Sequence, residues 1–292
     1  MLWFFLALGS AMFSAAAAVA QKKVLFRLPA LEFSFLVSGV IALFSFGFAV
    51  AVDVTAVDQK TFFILTVKSV MGGAAFLLVM LSLRRNQIST ALPLLGLTPG
   101  VTALMALPVL GESLQVWEWG GVALMMAGTY LLEKPKAVQN GVLQRRWFEK
   151  NQYSMYGAVF LFALSSVLDR LLLGKMKIDP RVVLFYQKMI YCVMFGCILF
   201  LRKSFGRKLL VEGKSQMLLL ILIALCTLAY RYAQLEATAL APAALVLAVK
   251  RTSIMFASFF GGKLFSDDRL PAKLVGASLI VAAGFLILRN VA

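Results

Sequence analysis

Lys250 and Arg251 stand side by side in the middle of TALAPAALVLAVKRTSIMFASFFGG, the apolar stretch over 238–262. A helix of that length crosses a bilayer, and at about 1.5 Å per residue Lys250 lies roughly 18 Å from either end, too deep for easy contact with headgroups. Insertion of a central Lys or Arg costs about 2.5–3.5 kcal/mol, so a pair held there requires an anionic partner or a water-filled cavity. Arg251 can fork onto a carboxylate or phosphate while Lys250 acts as a point charge. The chemistry such a pair offers is the binding of an anion.

The other embedded charges point the same way. Lys68, Arg170, Lys188 and Arg231 also lie inside apolar stretches, whereas Asp169 is the one acid at comparable depth, and Glu32 and Glu236 fall near the ends of theirs. Plainer readings exist for single residues: Arg170 can pair locally, and Arg231, near the end of its stretch, can snorkel to the interface. Taken together, these cations exceed what one or two carboxylates neutralise. Candidate substrate contacts are therefore Lys250, Arg251, Lys68, Arg231 and Lys188, with Tyr230 and Tyr186 to orient an organic anion. Asp169, Glu32 and Glu236 are candidates for charge pairing or proton coupling. Lys68, Arg170, Lys188 and Arg231 fall in the halves of their spans nearer the side that carries the termini. The expected vestibule opens to that side, with Lys250 and Arg251 as its floor.

The elements that carry these residues are membrane helices. Of 292 residues, 61% are hydrophobic and 14% charged, against about 25% charged in soluble domains, and the mean hydropathy is +0.89. Cys192, Cys197 and Cys226 all sit in apolar segments and read as small core residues, not as a disulfide framework or metal site. Histidine is absent, which removes His-based general bases, zinc sites of the HExxH type and histidine proton relays. The net charge of +16 comes mostly from Lys and Arg that flank apolar spans, so anionic lipid headgroups, not nucleic acid, are the expected counterions. The N-terminal run MLWFFLALGSAMFSAAAAVA has no basic region ahead of it and reads as a first membrane helix, not as a cleaved signal.

Hydropathy predicts an all-α chain of ten spans, at 1–20, 28–52, 59–83, 88–110, 114–132, 153–174, 180–201, 215–235, 238–262 and 270–289. Residues 138–152 form a basic connecting loop between two repeats, 1–137 and 153–292. The repeats can be read in the letters: Glu112-Ser-Leu114, Gly120 and Gly128 close the first, and Asp268-Arg-Leu270, Gly276 and Gly284 close the second at the same spacings. An odd number of spans per repeat turns the copies upside down relative to each other, the arrangement of secondary transporters with a site at the midplane. In the fourth span Pro93, Gly96, Pro99, Gly100 and Pro108 predict a bend, which either faces a cavity or improves packing. Gly72 and Gly73, and the run Ala15 to Ala18, read as close-packing surfaces. Trp117, Trp119 and Trp147 read as interfacial anchors.

The fourth span with Pro99, its GES exit and the glycine-spaced fifth span, repeated as VKRTSIMFASFFGG, DRL and GASLIVAAG, resemble the EamA-like drug/metabolite transporter superfamily. The resemblance implies ten helices in two inverted bundles around a central cavity lined in part by the first, third, fourth and ninth. The Lys250-Arg251 pair is similar to that of the triose-phosphate and nucleotide-sugar branch, where such a pair holds substrate phosphate. Gly262-Lys263 and Ser266-Asp267 depart from the expected Gly-Glu exit.

The expected function is secondary or exchange transport of a small anionic metabolite, phosphorylated or carboxylated, by alternating access, with no cofactor and no metal. An exporter of drugs, amino acids or other amphipathic metabolites is the alternative that the fold permits. A membrane-embedded enzyme would need an acid/base or metal constellation that this chain does not offer. An internally duplicated chain is compatible with a monomer, in the inner membrane of a bacterium. Lys and Arg concentrate after the odd-numbered spans, as in Lys22, Lys23, Arg84, Arg145, Arg202 and Lys203, which places those loops in the cytoplasm. The family resemblance implies the reverse, cytoplasmic termini.

Overall fold

The computed structural model describes residues 1–51, 57–85, 93–112, 114–133, 153–202, 207–253, 256 and 279. All regular structure among them is helical: α1 (Leu2–Leu25), α2 (Ala30–Ala51), α3 (Gln59–Arg85), a 3-10 turn (Pro93–Leu97) running into α4 (Thr98–Leu110), α5 (Val116–Glu133), α6 (Tyr153–Arg170) prolonged by a π turn (Leu171–Lys175), α7 (Pro180–Leu201), a short α8 (Arg207–Ser215), α9 (Met217–Leu240) and α10 (Ala243–Lys250). Six helices among the described residues are long and apolar enough to cross a membrane, those of α1, α2, α3, α6, α7 and α9. The tenth expected span apart from Leu279, the central loop, Trp147 and the Gly262-Lys263 exit lie outside the described residues.

Local chemistry sets the helix ends. Asp179 caps α7 by accepting from the Arg181 N–H at 2.7 Å, and Pro180 follows at the first helical position, where a missing N–H costs nothing. Gly111 ends α4 in the left-handed conformation at φ 64°, with its N–H returned to the Leu107 carbonyl. Lys22, in the last turn of α1, donates to the Leu83 carbonyl of α3 at 2.5 Å, joining the far ends of two helices.

The ninth span begins later than its hydropathy suggests. α9 runs through Thr238 to Leu240, and the chain breaks at Ala241, which is extended (φ −141°, ψ 160°) because Pro242 follows it. Lys250 therefore stands seven residues, about 10 Å, from the start of its helix, and not midway along an unbroken one. Ahead of α9 the amphipathic α8, unforeseen in the span assignment, precedes the apolar segment.

Helix packing is reciprocal between the two halves of the chain. α1 packs on α9 and α3 on α6; α4 packs on α6 and α1 on α10; α3 packs on α7 and α2 on α9; α2 meets α7 and α4 meets α10. Exchanging α1 with α6, α2 with α7, α3 with α9 and α4 with α10 maps this set of contacts onto itself.

Small residues allow the close approaches. Trp3, Ala7, Ser10, Ala11 and Ala15 form the buried stripe of α1, one turn apart. Any side chain on Gly73 of α3 would strike Met194 of α7, 2.5 Å from the position of its Cβ, and one on Gly72 would strike the Tyr191 hydroxyl. The large side chains of Phe5, Phe63, Val193 and Phe200 face outward, as a lipid-facing surface requires.

Candidate functional site: a basic cavity at the centre of the bundle

Each charged residue in the centre arrives on a different helix. Lys68 of α3, fully buried, donates to one carboxylate oxygen of Asp169 on α6. Arg231 of α9 approaches the other oxygen at 3.3 Å, and its guanidinium also donates to Gln187 Oε1 (2.9 Å) on α7 and to Gln234 Oε1 (3.0 Å) on its own helix. Lys250 of α10 shares Gln234 Oε1 at 2.5 Å and lies 4.4 Å from the centre of the Tyr230 ring. Lys188 of α7 lies 5.0 Å from the Tyr191 ring. Arg251, just past the end of α10, donates to the Thr98 hydroxyl at 2.9 Å, while its Nε is buried without a hydrogen-bond partner among the described residues.

These groups line a cavity of about 120 Å³, room for on the order of ten waters. Lys188, Arg231, Lys250 and Arg251 face it against a single lining carboxylate, Asp169, among the described residues. That carboxylate is already engaged by Lys68 and Arg231. Lys250 and Arg251 each keep only 9% of their exposure, and among the described residues their hydrogen-bond partners in this cavity are a neutral amide and a neutral hydroxyl. A buried charge satisfied only by neutral dipoles keeps most of its desolvation cost until an opposite charge arrives. Adjacent in sequence and about 100° apart on a helix, the two residues reach one cavity from different flanks, Lys250 toward α9 and Arg251 toward the start of α4.

The sequence-predicted residues divide accordingly. Lys250, Arg251, Arg231, Lys188, Tyr230 and Asp169 line the cavity, and Lys68 lies behind Asp169 as its partner. Tyr186 instead packs edge-on against Phe62 and Phe185. Glu32 in the first turn of α2 and Glu236 near the end of α9 are half-buried and outside the lining. Arg170 points away from the cavity: it donates to Glu112 at 2.9 Å and to the Thr238 and Ala239 carbonyls at 3.0 Å each, while Lys175 donates to the Leu110 carbonyl. Gln187, Gln234 and Thr98 were missed. For the glutamines the signal was a polar side chain in an apolar span beside a cation, one residue from Lys188 and three from Arg231; Thr98 has no cation near it in sequence.

The vestibule runs the other way from the sequence expectation. Its lining continues from the charges to Gln21 near the end of α1, Leu83 near the end of α3, and Leu95 ahead of α4, the side opposite the start of α1. On the side of Met1 an apolar plug of Trp3, Ala7, Ala237, Ala241 and Leu245 fills the bundle. The expectation followed each charge's height within its span, whereas closure is decided by the apolar residues packed beyond the charges. The bend of the fourth span does face the cavity, through Leu95 and through Thr98 beneath Arg251.

Six helices among the described residues long and apolar enough to cross a bilayer mark this as a polytopic membrane protein. Its residues 1–133, a little under half of the chain, match the EamA-like transporter family. Among solved structures the chain is similar to one titled "Crystal structure of protein", with a TM-score of 0.68 at 15% identity over 99% of this chain and 96% of the other. That likeness concerns the fold alone. No curated protein matches the chain.

Proposed function

We propose that this protein is a secondary transporter that moves a small organic anion across the membrane by alternating access. In this reading ten spans form two inverted repeats, 1–137 and 153–292, joined by the basic loop 138–152, and the anion binds between them. The reciprocal helix packing and the family match over 1–133 support it. The observation that carries it is the imbalance of the cavity: among the described residues, four lining cations against one carboxylate that two cations already hold. Lys250 and Arg251 bind the anion, Lys188, Arg231 and Tyr230 complete the contact, and Lys68 pairs with Asp169, which with Glu32 and Glu236 is a candidate for proton coupling. A bacterial inner membrane is the location that suits such a carrier.

The test is a melting curve of Lys250→Gln and Arg251→Gln with and without acetate and inorganic phosphate. Because the described partners of both side chains, Gln234 and Thr98, are neutral, neutralising either cation orphans no charge among the described residues, and stability should hold or rise. Stabilisation by the anion should disappear, together with uptake into proteoliposomes. Loss of folded protein in both variants, or anion stabilisation kept in both, would refute the reading.

A further inference from the structure

We infer that the anion this cavity takes is an amphipathic organic acid, bound with its charged head at the midplane and an apolar tail directed to the cavity's mouth. The inference rests on the proposed function and names the substrate class of the same site. It comes from the order in which the lining residues occur along their helices. On α3 they are Phe76, Val79, Met80 and Leu83, an apolar wall about 10 Å long that leads away from the charges. Leu95, ahead of α4, lies at the same end. On α6 the sequence from mouth to centre is Phe162, then Ser165 and Ser166 one turn deeper, then Asp169.

The polar lining gathers at the deep end and on one flank. Gln187, Gln234, Tyr230 and the cations surround the centre, Ser165, Ser166 and Tyr191 lie about one turn above it, and among the described lining residues Ser14 and Gln21 of α1 carry polar groups further toward the mouth. Val79, Met80, Leu83 and Leu95 keep between 1% and 7% of their exposure. A hydroxyl-rich tail laid along them would give up its water without gaining partners on that side. An alkyl or aryl tail would lose only unfavourable hydration. A carboxylate or phosphate headgroup serves equally at the deep end, and the apolar tail, not the headgroup, is what the wall selects.

The protein is reconstituted in nanodiscs of a single lipid, and binding of acetate, butyrate, hexanoate, phenylacetate and glycerol 3-phosphate is read by thermal shift. Lys250→Gln serves as the control for partitioning into the lipid. Affinity should rise about fourfold per methylene along the acetate series and level off once the tail passes Leu83. Phenylacetate should bind tighter than glycerol 3-phosphate. Phe76→Ala and Leu83→Ser should each flatten the chain-length dependence, the second variant standing in if the first fails to fold. Equal affinity for acetate and hexanoate, tighter binding of glycerol 3-phosphate than of any carboxylate, or a chain-length slope unchanged in both variants would overturn the inference while leaving anion binding intact. Failure of every anion to bind would overturn the inference together with the function on which it rests.

Discussion

Lys68 and Asp169 meet from opposite halves of the chain, α3 against α6, and Arg231 takes the second oxygen of the same carboxylate at 3.3 Å. The arrangement is unequal: the acid serves two cations, while Lys68 makes its ion pair with one acid. Asp169→Asn leaves two buried cations without a counter-charge, and Lys68→Met leaves a carboxylate that Arg231 still holds. Breaking a buried pair costs about 3–5 kcal/mol, so Asp169→Asn should lie at the upper end or beyond it, and Lys68→Met below it. Thermal unfolding of the two variants in one detergent gives the order, and an equal loss would count against the shared carboxylate.

Arg170 clasps the side of the bundle on which α1 begins, bonding Glu112 of the first half and the last-turn carbonyls of α9 in the second. Arg170→Gln should cost about 1.5–3 kcal/mol, the worth of charge-assisted hydrogen bonds. Arg170→Lys should recover little of it, since an ammonium does not reproduce a fork spread over three acceptors. A melting temperature for Arg170→Lys equal to wild type would show that charge alone suffices.

Asp179 sits outside the membrane spans at the N-terminus of α7, where the Arg181 guanidinium and backbone N–H hold its carboxyl below the ordinary range. A depressed carboxylate stabilises the fold above its unfolded value of about 3.9 and loses that contribution as pH falls through the lower folded value. Asp179→Ala should therefore cost about 1 kcal/mol near neutral pH. Its difference from wild type should narrow below about pH 4, which melting curves across pH would show. A gap independent of pH would mean that the charge of the cap contributes nothing.

Orientation is testable by fusion. By the positive-inside rule, the concentration of Lys and Arg after the odd-numbered spans would place the mouth of the cavity, near Gln21 and Leu83, on the cytoplasmic side. A reporter active only in the cytoplasm, fused after Ala292, should stay dark, and a bright fusion would reverse the assignment.

The course of the spans was legible because apolar length is a one-dimensional property: α1, α3, α7 and α9 lie within a few residues of their hydropathy bounds, the last extended by a turn up to Pro242. The cations of the site were legible because a charge deep in an apolar segment stands out without reference to anything else. Pairing was not. Nothing in the local sequence tells which of several cations a lone acid will take, and Asp169 binds Lys68 and Arg231 while its own neighbour Arg170 turns to Glu112. Tyr186 lies outside the lining for the same reason: its distance from Lys188 along the helix says little about which neighbouring helix its ring meets. The glutamines escaped notice because an uncharged polar residue disturbs hydropathy less than a charge does, although Gln234 bridges Arg231 and Lys250.

The bond between Lys68 and Asp169 spans 101 positions of sequence, and this orders events during synthesis. α3 leaves the ribosome and meets the bilayer before α6 has been translated, so the nascent chain carries a lone ammonium whose acceptor does not yet exist. A lone Lys inside an isolated membrane helix costs up to about 2.5–3.5 kcal/mol, a penalty that α3 bears until Asp169 on α6 is in place. The carboxylate that organises the finished cavity thus also marks the moment at which the two halves of the chain become one molecule.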